Sequence, residues 1–172
     1  MNAYKFLDDR GVAPFTGFQW PRAVGAPGAW VEAERVEACR GGVHACRVRD
    51  LPIWMGAQLW EIELEGEIRE QERKLVAQRG RLLRRVEAWN SQLLDAFASF
   101  CLVRTRRRVG YIPVLSGFVG DIERYRSQGR IPIAGFAAAR AAELRDGPAA
   151  YEQERRAQAV WLAERLGLEA PG

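Results

Sequence analysis

The sequence predicts an α+β fold: a small, mostly antiparallel N-terminal sheet followed by a C-terminal group of helices. Three observations carry this. Up to about residue 90, apolar residues recur with the two-residue period of strands. From "NSQLLDAF" (90–97) onward, they recur with the period of a helix. No internal repeat interrupts that order, and strands followed by helices is the α+β arrangement. The 172 residues suit a single domain, with residues 1–89 as a β-rich layer carrying an aromatic loop and residues 90–172 as the helical part.

Each element follows in turn. "AYKFL" (Ala3 to Leu7) reads as a short strand. From Asp8 to Trp30 the chain is punctuated by Gly11, Gly17, Gly25, Gly28 and by prolines, the composition of a long loop. Its aromatics Phe15, Phe18, Trp20 and Trp30 should not be left in water, so the loop is expected to pack on the sheet as a flap. "RVEACRGGVHACR" (35–47) reads as a β-hairpin turning at Arg40-Gly41, where glycine supplies the positive φ. In that register Glu37 faces His44 and Ala38 faces Val43. One side then carries Val36, Ala38, Val43 and Ala45, and the other Arg35, Glu37, Cys39, His44 and Cys46. Leu51 to Gln58 reads as a short helix with Pro52 in its first turn. Ile62 and Leu64, set against Glu61, Glu63 and Glu65, form a half-exposed strand ending near Gly66. "KLVAQRGRLLRRVEAW" gives two more strands hinged at Arg79-Gly80.

The helical part opens at Asn90-Ser91 as an N-cap, with Leu93, Phe97, Phe100 and Cys101 on one stripe. Further helices fit "VLSGFVGDIERYRSQG" and "PIAGFAAARAAELRDG". The last runs from Pro148 to Leu166, turning Ala150, Ala157, Trp161 and Leu162 inward, and stops at Gly167-Leu168 as a glycine cap with its apolar partner does.

Composition narrows the classes. An apolar content of 48% supports a packed core and excludes disorder. There is no apolar run long enough for a membrane helix, so no membrane partner is expected. The N-terminal "MNAYKFLDDRG" lacks the charged and apolar segments of a signal peptide, and three cysteines make an odd number, so a cytoplasmic, reducing location is expected. The formal charge of +4 permits an anionic partner. Of the 26 basic residues only Lys5 and Lys74 are lysine, a bias that GC-rich codon usage also produces.

The densest chemistry lies in "CRGGVHAC", which packs Cys39, Cys46 and the single histidine, His44, into eight positions. This motif, with the acidic "LWEIELEGE" strand and "KLVAQRGRLLRR", resembles an uncharacterised family of phage and actinobacterial proteins. That family is marked by Cys-x-x-Gly-[Phe/Ile/Val]-His-Ala-Cys, here Cys39, Gly42, Val43, His44, Ala45 and Cys46. The resemblance spans residues 3 to 86, and "YEQERRAQAVWLAERLGL" looks like the tail of the actinobacterial members. It supports a site and implies no reaction.

Several chemistries fit these residues. Zinc accepts thiolate and imidazole, so Cys39, His44 and Cys46 could be ligands. Zinc is possible but not favoured, because residues two apart on a strand diverge by about 7 Å along the chain. A cysteine paired with His44 could act as a nucleophile. A strand with Gly-aliphatic-His, a short helix and a Glu-x-Glu strand is loosely similar to ADP-ribosyltransferases. That likeness implies that Glu63 or Glu65 stabilises an oxocarbenium charge while His44 or Tyr4 holds the dinucleotide. Alternatively the motif is structural, with buried cysteines and His44 bonded to Glu37 across the hairpin. Arginine's fork suits phosphate, which brings in Arg81 from "RGRLLRR" (with Arg79, Arg84 and Arg85), and Arg104, Arg106, Arg107 and Arg108 from "RTRRR" for nucleic acid. Intervening Glu67, Glu70, Glu72 and Glu87 stand ready to pair off such charges.

The leading expectation is a site for a phosphorylated or nucleotide-like small molecule on the polar face of the 35–47 hairpin. His44, Glu63 and Glu65 are its catalytic candidates, and Tyr4, Glu37, Cys39, Cys46 and Arg81 its ligand-binding candidates. The rival expectation is a non-enzymatic interaction or nucleic-acid-binding module.

Overall fold

The computed structural model describes residues 1–37 and 41–169. It divides into two compact units, Met1–Trp89 and Asn90–Gly172, and the boundary falls where the sequence period changes. The α+β order holds: an antiparallel sheet occupies the first unit and helices fill the second. Among the described residues no helix is long and apolar enough to cross a membrane.

The first unit contains β1 (Asn2–Leu7), β2 (Val31–Glu32), β3 (Val43–Ala45), α1 (Leu51–Trp54), β4 (Gln58–Glu70) and β5 (Leu75–Arg85). β4 and β5 form a long antiparallel ribbon whose register shifts between Glu61 and Ile62 and again between Glu65 and Ile68. Such shifts bend a ribbon. β1 lines the free edge of β4, while β2 and β3 share the free edge of β5. Beyond β3 the chain reaches β1: Tyr4 N–H donates to the Cys46 carbonyl at 2.9 Å, and Cys46 N–H to the Tyr4 carbonyl at 2.8 Å. This bridge closes β1-β4-β5-β3 into a ring of hydrogen-bonded strands. Closure protects edges that an open sheet of this size would expose. Ala3, Val43, Ala45, Ile62, Leu64, Leu75, Ala77 and Leu82 pack together in one core, joined by Ala13 and Trp20 from the 8–30 loop.

Two glycines are required by this ring. Gly42 has φ +103°, and a Cβ there would lie 2.4 Å from Val76 Cγ1. At Gly80 a Cβ would meet Val43 Cγ1 at 2.9 Å, so β5 passes through Arg79-Gly80 as one strand and is not hinged there. Glycine at that point makes room for the neighbouring strand.

Other expectations need correction. Glu37 pairs with Gly41, its N–H donating to the Gly41 carbonyl at 3.3 Å and its carbonyl accepting from Gly41 N–H at 2.9 Å. The expected register, with a turn at Arg40-Gly41 and Glu37 facing His44, is therefore wrong. His44 lies opposite Val76 of β5. Val43 and Ala45 do face the core, but their partner is a distant strand. The positions expected for Ala38 and Cys39 lie outside the described residues. The helix at Leu51 ends at Trp54, and the strand after it continues past Gly66 to Glu70. Trp20 packs down as expected, whereas Phe15 is 86% exposed, meeting only the edge of Trp54 at 6.1 Å between ring centres.

The second unit comprises α2 (Ser91–Val109), α3 (Gly117–Ser127), α4 (Ile131–Asp146) and α5 (Pro148–Leu166). Asn90 caps α2 through its side-chain oxygen, which accepts from Leu93 N–H at 3.0 Å. At the end of α5, Gly167 adopts the left-handed conformation and Leu168 N–H donates to the Ala163 carbonyl. Phe97 and Cys101 are fully buried, and Trp161 stacks on Phe100 at 5.3 Å.

Candidate functional site

Partners in an antiparallel ladder point to the same side, and so do alternate residues of a strand. Tyr4 is registered with both Cys46 and Glu61, and Glu63 with Arg81. Tyr4, His44, Cys46, Glu63 and Arg81 therefore share the outer side of the ring. Of these five, the sequence had placed only His44 and Cys46 on a common face, through a different pairing.

That side is largely neutralised. Arg81 Nε donates to Glu63 at 2.7 Å, Arg84 Nε to Glu61 at 2.8 Å, and Arg79 binds Glu65. Trp30 lies against Arg79 and Arg81, with guanidinium carbons 4.8 and 4.6 Å from its ring centre. The carboxylates expected to meet an oxocarbenium ion, Glu63 and Glu65, are thus each held by an arginine in the half-exposed ladder. Cys46 is buried, and burial raises its thiol well above the usual range, so it is no thiolate nucleophile. His44 is half-buried. Burial first, then the cations of Lys74 and Lys5, lower its pKa and keep the imidazole neutral near pH 7. No group of three or more His, Cys, Asp or Glu side chains converges to hold a metal among the described residues, and Cys39 lies outside them.

Three of the four arginines proposed for nucleic acid form ion pairs inside the second unit. Arg104 makes a forked pair with Glu154, at 2.9 and 2.9 Å, and Arg108 reaches the same carboxylate at 3.4 Å. Glu154 is only 2% exposed. Arg106 pairs with Glu123 at 2.7 Å, which leaves Arg107 as the exposed member of the cluster with no ion pair among the described residues. The acidic residues between the other arginines act as expected: Glu67, Glu70, Glu72 and Glu87 pair with Arg69, Arg47, Arg73 and Arg85.

A cleft of about 660 Å³ opens where the 8–30 flap meets the β4–β5 ribbon. Trp20 and Trp60 line it together with Leu82, Gln58, Arg22 and Arg85. Trp60 is fixed by its indole N–H, which donates to Gln58 Oε1 at 2.9 Å, and the flap is pinned by Gly28 N–H donating to the Leu82 carbonyl at 2.8 Å. Arg22 is exposed without an ion pair among the described residues, and Arg85 stands 3.9 Å from Glu87. Beside the cleft, Lys5 is 8% exposed. Its ammonium donates to the His44 carbonyl at 2.7 Å and lies 4.7 Å from the Trp20 ring centre. Burial lowers its pKa to about 8, the nearby Cys46 acting weakly in the other direction.

Of these cleft residues only Arg85 had been named from the sequence for binding, as one of the arginines suited to phosphate. One signal was available. Ala3, Lys5 and Leu7 occupy the same side of β1, and a lysine at the centre of an inward-facing row breaks the apolar pattern of a strand.

The chain belongs to the family described as Domain of unknown function (DUF7666), whose match covers residues 1–93 and so takes in the whole first unit. A search of curated proteins and a search of solved structures each found no match.

Proposed function

We propose that the first unit is a binding module for a small phosphorylated, nucleotide-like molecule, held in the cleft between the 8–30 flap and the β4–β5 ribbon. One juxtaposition carries the reading: two indoles and three arginines line the same opening, Arg22 with no ion pair among the described residues, and they outnumber the two carboxylates there, Asp9 and Glu87, the latter 3.9 Å from Arg85. An aromatic face stacks on a base, worth about 1–3 kcal/mol per base. A guanidinium fork matches phosphate oxygens, and such charge-assisted bonds are the strong ones. The outer side of the ring, where the sequence placed the ligand, has its arginines tied to Glu61, Glu63 and Glu65 and offers phosphate much less. The same pairing withholds the carboxylates that ADP-ribosyl transfer needs, so the reading is of a binding module.

The test is a titration of adenosine and adenosine 5′-monophosphate at low salt, followed through tryptophan fluorescence. A saturable change is expected, weakened by salt for the monophosphate and lost in Trp60→Ala. Arg85→Gln should weaken the monophosphate alone. No saturable change with either compound up to millimolar concentration sinks the reading.

A further inference from the structure

We infer that Lys5 is the residue that senses the ligand's negative charge, reached from the cleft when Trp20 is displaced; this rests on the cleft being the binding site. The geometry begins with a cross-strand row. Lys5 is registered with Trp60, and Trp60 with Arg85, so all three side chains project to the same side of β1, β4 and β5. The row runs from the buried ammonium, through an indole that lines the cleft, to an exposed guanidinium. Trp20 also lines the cleft and packs its ring against Lys5 at 4.7 Å.

An ammonium has three donors, and the one hydrogen bond found for Lys5 goes to a neutral carbonyl. No carboxylate among the described residues pairs with it. A charge taken out of water with such partial compensation is costly. Groups of this kind concentrate at functional sites, where the missing counter-charge is supplied by the ligand. A phosphate arriving in the cleft would provide it. Trp20 belongs to a loop, not to a strand, and its packing partner on the other side is Phe18, itself 44% exposed. Moving this indole leaves the strand ladder intact but gives up its own burial in the core, a cost that the bound anion must offset.

On its own side the row holds Arg85, which stays charged, and the titratable groups that act on Lys5 through space, Cys46 and His44, project from the neighbouring strand to the other side. The Cys46 thiol is raised above its usual range and the His44 imidazole is lowered below its own. Neither changes charge near pH 8, so that window belongs to Lys5. A phosphate monoester, with its second pKa near 6, keeps its full charge there.

The experiment compares affinities for adenosine and adenosine 5′-monophosphate in the intact chain and in Lys5→Met. The parent should prefer the monophosphate by about tenfold or more near neutral pH, the scale of one charge-assisted contact. Lys5→Met should still bind adenosine saturably, which also shows that it is folded, while losing most of that preference. Raising the pH from about 7 to about 9 should lower the parent's preference toward the variant's and leave the variant unchanged. If adenosine binds and Lys5→Met keeps the full preference, or if the parent's preference ignores pH, the role of Lys5 is refuted and the cleft stands. If neither compound binds, the cleft and Lys5 fall together.

Discussion

Replacing Lys5 by methionine should make this protein more stable near neutral pH, and the gain can be worked out. The side chain is 8% exposed and its pKa falls from 10.5 to about 8, chiefly through burial. A shift of that size, at 1.36 kcal/mol per unit, means that the fold disfavours the charged amine by about 3 kcal/mol. The hydrogen bond to the His44 carbonyl and the contact with the Trp20 ring favour the ammonium and reduce this figure. Methionine has a similar unbranched stem and no charge to desolvate, so Lys5→Met should be stabilised by about 2–3 kcal/mol. The sign with pH follows from proton binding. Between about 8 and 10.5 the unfolded lysine keeps its proton while the folded one has lost it, so the parent gains stability as pH rises through that window. The variant's advantage should therefore be constant below about pH 8 and gone near pH 10.5. Urea unfolding followed by tryptophan fluorescence reads the right unit, since Trp20, Trp30, Trp54, Trp60 and Trp89 lie in the first and Trp161 in the second. Groups that do not feel Lys5 cancel in the difference, and the two that do, His44 and Cys46, are shifted below and above this window. A variant no more stable than the parent at neutral pH, or a gap that does not close with rising pH, refutes the reasoning.

Other perturbations have equally definite outcomes. Gly42→Ala must fit a Cβ 2.4 Å from Val76 Cγ1 at φ +103°, and strain of that kind costs about 1–3 kcal/mol before the steric overlap is added; unchanged thermal stability would count against the ring closure. Arg104→Ala removes the forked partner of a carboxylate that is 2% exposed. Because Arg108 remains beside Glu154, the loss should approach but not reach the about 3–5 kcal/mol of a fully broken buried pair, whereas Arg107→Gln should melt like the parent. In the native protein Cys46 and Cys101 should resist iodoacetamide at mildly alkaline pH, because both are buried with thiols raised above their usual range; peptide mapping that finds either rapidly alkylated would show that the burial is wrong.

What the sequence could and could not reveal follows from how local each constraint is. The boundaries of α5 were legible because Pro148 and Gly167-Leu168 act within a turn of the helix end, and Asn90 was legible as a cap for the same reason. In the motif, alternation alone correctly turned Val43 and Ala45 toward the core. Alternation does not say which strand lies alongside, and the actual partner, Leu75–Ala77, is about thirty residues away. Gly80 was taken for a hinge because a lone glycine in a strand has two local meanings, and the contact with Val43 that decides between them is not local. The "RTRRR" cluster looked like a free basic surface because Glu154, which binds Arg104 and Arg108, lies 50 and 46 positions further along. Phe15 was expected under the flap on hydrophobicity alone, yet only Trp20 finds a place in the core.

The motif and the cleft then divide the first unit between structure and binding. Gly42 is demanded by the approach of Val76, Val43 and Ala45 fill the inside of the ring, and Cys46 supplies the backbone groups that close it against Tyr4. Four of the motif's positions are thus accounted for by closing β3 between β5 and β1, without any chemistry at their side chains. A thiol in the wall of such a ring is as small and apolar as the packing requires. The features that closure does not explain begin one residue along β1 from that bridge, on its opposite side: a lysine buried where leucine would pack better, an indole laid over it, and arginines that outnumber the carboxylates lining the cleft. Stability is given up at Lys5, and the most economical reason for keeping a destabilising charge is a bound anion that compensates it.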